Sequence, residues 1–252
     1  MLNRTNHVVG SAVNASDGPV GSLTAVFFDD VTWTIRYLVV DAGSWLSGRE
    51  VLISPYSVRQ PLQGGRVIDL ALSREQVQHS PGVDTQQPVS RQHERQMLNY
   101  YGYPGYWDGS ELWAMEQYPL PLTAEQMQAN RARQRADDLA ADVHLRSSVK
   151  VTGYDLRASD DSIGHVQDFV FDDESWEIRY LVVDTRNWWP GGRKVLVAKH
   201  WIDSVDWASQ TVSVKLTREQ VKASPEYDEG RLLLRTDEEA LHAAYGRRGY
   251  WD

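Results

Sequence analysis

Residues 33–40 read Trp-Thr-Ile-Arg-Tyr-Leu-Val-Val, and on a strand successive side chains point to opposite faces. Trp33, Ile35, Tyr37 and Val39 then share one face, and Thr34, Arg36, Leu38 and Val40 share the other. The first face is wholly apolar; the second becomes apolar only in its latter half. Such a strand lines a barrel or sandwich interior and is covered on its outer side at one end. A partner strand over 20–28, joined to it by Asp29-Asp30-Val31-Thr32, and short strands over 49–54 and 66–72 follow from apolar runs bounded by turn residues. Several short antiparallel strands with no helices between them predict a small closed or nearly closed barrel, because closure removes exposed edges.

The pattern then returns. The heptapeptide IRYLVVD at 35–41 stands again at 178–184, and the stretch 28–53 aligns with 171–197 at an offset of 143, becoming 144 after one inserted residue near Gly191. SREQVQHSPGVD (73–84) meets TREQVKASPEYD (217–228), and YYGYPGYWD (100–108) meets AYGRRGYWD (244–252). A period this long is not that of a solenoid, whose repeats run to about 20–50 residues. Two tandem units are expected, at 1–108 and 147–252, joined by a helical linker over 109–146. Ser73 with Gln76 and Thr217 with Gln220 are spaced as capping boxes for a short helix in each unit, ending before Pro81 and Pro225. A second helix is expected in each: from Ser90 to a terminating Gly102 in the first, and from a Thr236–Glu239 capping box to Gly246 in the second. In the linker, Thr123 and Gln126 have the same box spacing ahead of a helix-forming run.

Composition narrows the function more than the fold. Ten Trp and twelve Tyr lean toward β structure. A net charge of −9 works against binding a polyanion, so nucleic acid is disfavoured as a partner. The absence of Cys excludes disulfides, thiolate catalysis and Cys-ligated metals. No apolar run approaches the roughly 18 residues of a spanning helix, and the first residues do not read as a signal peptide, so a soluble cytoplasmic protein is expected, with no membrane partner.

A turn of the form D-G-x-h-G (Asp17, Gly18, Gly21), the FDD…W-x-IRYLVVD hairpin, a Gly-rich loop leading into G-R-x-V-L, and a closing T/S-R-E-Q-V…S-P together resemble the PRC-barrel family, here twice. The likeness covers roughly 8–84 and 148–228. In the second copy Asp160-Asp161-Ser162 replaces Asp17-Gly18-Pro19. The family is named for the cytoplasmic barrel of the photosynthetic reaction-centre H subunit and is similar to the barrel of a factor that matures the small ribosomal subunit. The resemblance implies a mainly β fold of two small barrels with appended helices. It also implies a docking module that brings no catalytic residues with it.

Candidate chemistry is sparse. The acids Asp29-Asp30 and Asp172-Asp173-Glu174 sit where turns are expected, without the ligand spacing of a calcium loop. Asp41 and Asp184 end the two heptapeptides and read either as functional acids at a barrel mouth or, with Arg36 or Arg49 and Arg179 or Arg193 nearby, as ion pairs tying the strand to the Gly-rich loop. The seven His show no metal-ligand spacing, and no nucleophile elbow, P-loop or dinucleotide fingerprint is present, so neither metal nor cofactor is expected. Arg131, Arg133 and Arg135 precede Asp137-Asp138 and read as a solvated helix face. Trp45, Trp188 and Trp189 lie on the loop beyond the heptapeptide, where they would anchor a protein partner; Tyr106-Trp107 and Tyr250-Trp251 are expected to fold back as internal lids. The chain is therefore expected to be a non-enzymatic scaffold or adaptor of the bacterial cytoplasm with protein partners, a homo-oligomer remaining open. An RNA- or ribosome-associated factor and a ligand binder or hydrolase using Asp41 and Asp184 are the alternatives.

Overall fold

A computed structural model describes residues 1–59, 62, 66–82, 89–107, 109–134, 144–186, 188 and 191–252. They form two compact units, one of Met1, Asn3–Ser148 and Asp172–Glu177, the other of Leu2, Val149–Phe171 and Ile178–Asp252.

Of β1 (Leu2–Arg4), Leu2 belongs to the second unit and the rest to the first, which also holds α1 (Thr5–Val8), β2 (Ala12–Ala15), β3 (Gly18–Asp29), β4 (Ile35–Asp41), β5 (Glu50–Ile53), β6 (Val67–Asp69), α2 (Arg74–Gln78), α3 (Arg91–Tyr101), α4 (Ala124–Gln134) and β7 (Leu145–Ser147). Its strands run in the order β5-β4-β3-β2-β6, with β7 also on β3; β2 pairs with β6 in parallel and the other pairs are antiparallel. In the second unit, after α5 (Ser148–Val151), come β8 (Asp155–Arg157), β9 (Ser162–Asp172), β10 (Ile178–Asp184), β11 (Lys194–Ala198), β12 (Ile202–Asp206), β13 (Thr211–Val214), α6 (Arg218–Ala223) and α7 (Arg235–Ala244). The order is β11-β10-β9-β8-β13-β12, and the parallel pair is β8 with β13.

Neither sheet closes among the described residues, which corrects the closed form of the expected closed or nearly closed barrel. The strands at the ends of the first path, β5 and β6, have four and three residues. Side chains take over part of the closing. Asp17, at the β2–β3 turn, accepts the Arg74 N–H at the start of α2 (2.7 Å), and Arg49, just before β5, reaches the Ser80 hydroxyl (3.1 Å) beyond its end. In the second unit Asp160 accepts the Arg218 N–H (2.9 Å), while Arg193 donates to the carbonyls of Lys222 (2.7 Å) and Ser224 (2.6 Å). Acid at the N-terminus and cation at the C-terminus is the arrangement a helix dipole favours. The D-G turn and the G-R-x-V-L motif are thus two clamps on one short helix.

Both capping boxes on α2 and α6 form as expected, as does the Thr123–Gln126 box on α4. Ser90 caps α3 and Gly102 ends it in the left-handed conformation at φ 79°. The start of α7 differs: the Asp237 carboxylate, not Glu239, accepts the Leu234 N–H (2.9 Å), so the cap is Leu234, two residues before the expected Thr236. An acid in the first turn supplied a competing acceptor nearer the chain entry. Trp33 is not part of β4. With φ at 58°, it occupies a left-handed turn position and stacks on Phe28 with ring centroids 5.2 Å apart; Trp176 has the same backbone conformation at φ 61°. From Ile35 to Val40 both strand faces are buried, Arg36 included.

Candidate functional site

The expected partner anchors lie half-buried against their own units. Trp45, on the turn Gly43–Leu46, donates its indole N–H to the Val20 carbonyl (2.6 Å) and carries the Arg74 guanidinium 4.4 Å above its ring. Trp188 carries Arg218 at 4.4 Å and Lys222 at 5.9 Å. In both units the first residue of the clamped helix is therefore also the residue that flattens the Trp. Trp189 lies outside the described residues, as does Arg135 of the basic cluster.

Asp41 and Asp184 take up different duties. The Asp41 carboxylate caps its own loop by accepting the Gly43 N–H (2.8 Å). Asp184 is buried, accepts the Arg186 N–H (2.9 Å), and forms a forked ion pair with the Arg186 guanidinium, Nε lying 3.0 and 2.9 Å from its two oxygens. The hydrogen-bonded Arg186 holds this carboxyl below the usual range, opposite to what a barrel-mouth general acid requires. The pair is real, but the cation is Arg186 and not Arg179 or Arg193, because Arg193 is spent on α6 and Arg179 stacks over Tyr250 at 4.2 Å. The acids Asp29 and Asp172 are turn caps: Asp29 accepts the N–H groups of Val31 (3.0 Å) and Thr32 (2.8 Å), and Asp172 that of Glu174 (3.1 Å).

A buried constellation that the sequence reading passed over occurs in both units. In the first, Arg36 lies 3.8 Å from the Tyr106 ring centroid and donates to the carbonyl of Leu112, and the Tyr106 hydroxyl donates to Glu94 (2.7 Å). Glu94 is fully buried, with Arg91 at 3.5 Å; burial pushes its carboxyl up to about 7 against the opposing pull of Arg91 and the Tyr106 hydroxyl. In the second unit Arg179 lies over Tyr250, and Glu238 accepts the hydroxyls of Tyr250 (2.9 Å) and Tyr180 (2.8 Å) while Arg235 lies 3.1 Å away. Burial, with Glu238 beside it, raises the Tyr250 phenol to about 12. Each tyrosine tail thus folds back as an internal lid whose hydroxyl is held by a buried glutamate. The signal was available: Arg-x-x-Glu at 91–94 and 235–238 recurs at the same offset of 144.

The two units differ at one position of this constellation. The Tyr180 hydroxyl also meets His242 Nε2 at 3.1 Å, whereas the position aligned with His242 is Leu98, and the buried Tyr37 hydroxyl has no hydrogen-bond partner among the described residues.

Residues 148–220 match the PRC-barrel domain model. The PRC-barrel segment therefore spans α5 through the first half of α6, and includes Gly164, the heptapeptide ending in Asp184, and Arg193. Glu238 and Tyr250 lie beyond it. No curated protein matches the chain. Among the described residues no three His, Asp or Glu side chains converge so as to hold a metal ion, and no helix is long and apolar enough to cross a membrane.

Proposed function

We propose that the chain is a non-enzymatic protein-interaction scaffold built from two tandem PRC-barrel units that arose by duplication, with 109–146 as a connecting segment. The observation that carries this reading is the pair of half-exposed tryptophans, Trp45 and Trp188, each held flat by an arginine, Arg74 and Arg218, on the loop following the same strand. Trp and Arg are the side chains that dominate interface energies, and a ring already immobilised in the free protein loses less entropy on docking. The PRC-barrel match supports a docking role, and the matched clamps and lids support duplication. The partner is a protein, engaged in the bacterial cytoplasm.

The test is co-purification from native lysate with Trp45, Trp188 and Trp189 each changed to Ala. Specific partners should be lost from the variants while their far-ultraviolet circular dichroism stays that of the parent chain. An unchanged set of partners across all three variants would remove these loops as the docking surface.

A further inference from the structure

The first unit contains a cavity of about 650 Å³ with no counterpart in the duplicated part of the sequence, since most of its wall comes from residues 113–130. The volume falls within the roughly 300–1,000 Å³ of small-molecule sites. Its walls are mixed: the aromatic and apolar side chains of Tyr56, Trp107, Trp113, Met115 and Tyr118, of which Met115 and Tyr118 are left exposed, share the lining with the polar Arg95, Glu116, Gln126 and Asn130.

This wall is firmly held. Trp113 is buried and donates its indole N–H to the Ser175 carbonyl (2.9 Å), and Tyr56 meets it edge-on with centroids 5.1 Å apart. Charge selects the ligand. Arg36 lies 4.9 Å from the Trp113 ring, and Arg91 and Arg95 lie 4.3 and 5.9 Å from the Trp107 ring, so three guanidiniums back the aromatic surface; Arg95 itself lines the cavity. The opposing acids are weaker influences. Glu94 sits in the core beneath the Tyr106 lid with its carboxyl raised to about 7, Asp29 is turned onto its own hairpin, and Glu116, which lines the cavity as Arg95 does, is exposed where Arg95 is half-buried, so solvent and salt screen the acid more than the cation.

We infer that this cavity binds a small organic anion with a flat aromatic body, the rings sandwiched by Trp107, Trp113 and Tyr118 and the carboxylate directed to Arg95. The inference goes beyond the scaffold reading and stands without it, because none of these residues belongs to the Trp45 or Trp188 loops.

Calorimetric titration of the full chain with 2-naphthoate, the neutral 2-naphthamide and the cationic 2-naphthylmethylamine tests it. Naphthoate should bind saturably at one site, the amide at least about tenfold more weakly, and the amine not at all. Ala129→Trp, on the exposed side of α4 that lines the cavity, should abolish binding by filling the space. Arg95→Gln should bring naphthoate down to the affinity of the amide. Naphthoate binding that is undetectable up to about 1 mM, or unaffected by A129W, overturns the site. Equal affinity for acid and amide, or an R95Q variant indistinguishable from the parent chain, overturns the assignment of an anion.

Discussion

Glu94 and Tyr37 show how a single buried polar group changes meaning with its neighbours. Glu94 has a folded-state carboxyl near 7, well above its ordinary 4.5, so the folded chain binds a proton more tightly than the unfolded one. Its effect on stability is therefore most favourable below about pH 4.5, is lost as pH rises from there to about 7, and above that persists as a constant penalty. At about 1.4 kcal/mol per unit the window amounts to about 3 kcal/mol. Glu94→Gln should leave the urea midpoint nearly unchanged at pH 4.5 and raise it at pH 8, flattening the pH profile between. A profile as steep as that of the parent chain would place the titration elsewhere. Tyr37 and Tyr180 are the same residue of the repeated heptapeptide, yet removing their hydroxyls should have different consequences. Tyr180→Phe strips a donor from Glu238 and should destabilise by about 1–3 kcal/mol; Tyr37→Phe removes a buried hydroxyl with no hydrogen-bond partner among the described residues and should be neutral or slightly stabilising. Paired denaturant melts of the two variants decide this.

At the level of elements, the repeated motifs are fasteners between strand and helix. Gly21 and Gly164 admit the close approach of the long hairpin strand to the end of its partner: a Cβ would stand 1.9 Å from the Asp41 carbonyl oxygen at Gly21 and 2.1 Å from that of Asp184 at Gly164, where φ is also 135°. Gly21→Ala and Gly164→Ala should each destabilise by about 3 kcal/mol, since backbone cannot yield as a side-chain tip can. Gly82→Ala, with open space around it, is the control and should move the melting temperature little. Ser73→Ala and Thr217→Ala each remove half of a capping box and should destabilise by about 1 kcal/mol, measured the same way. The boxes at Ser73, Thr217 and Thr123 were legible because both halves lie three residues apart in the chain. The start of α7 was not, because Asp237 and Glu239 each lie three residues beyond a cap position, at Leu234 and Thr236, and only the fold chose between them.

At the scale of the whole chain, the scaffold reading and the heptapeptide meet. With both faces of β4 and β10 buried almost throughout, the repeat is core. Native-state hydrogen exchange should find the amides of β4 and β10 among the slowest and that of the exposed Ser44 among the fastest; rapid exchange within Leu38–Val40 would contradict that placement. The sequence alone determined the strand-rich character, the two-fold recurrence, the caps of α2, α3, α4 and α6 and the family likeness, because alternation, capping and turn chemistry act over a few neighbouring residues. Tertiary structure alone decided that neither sheet closes among the described residues, that Asp184 pairs with Arg186, that Glu94 and Glu238 hold the tyrosine lids, and that residues 113–130 wall a cavity. Each of these depends on which groups, far apart along the chain, are brought within hydrogen-bonding or stacking distance and shielded from water, and burial and partner choice leave no mark on local spacing.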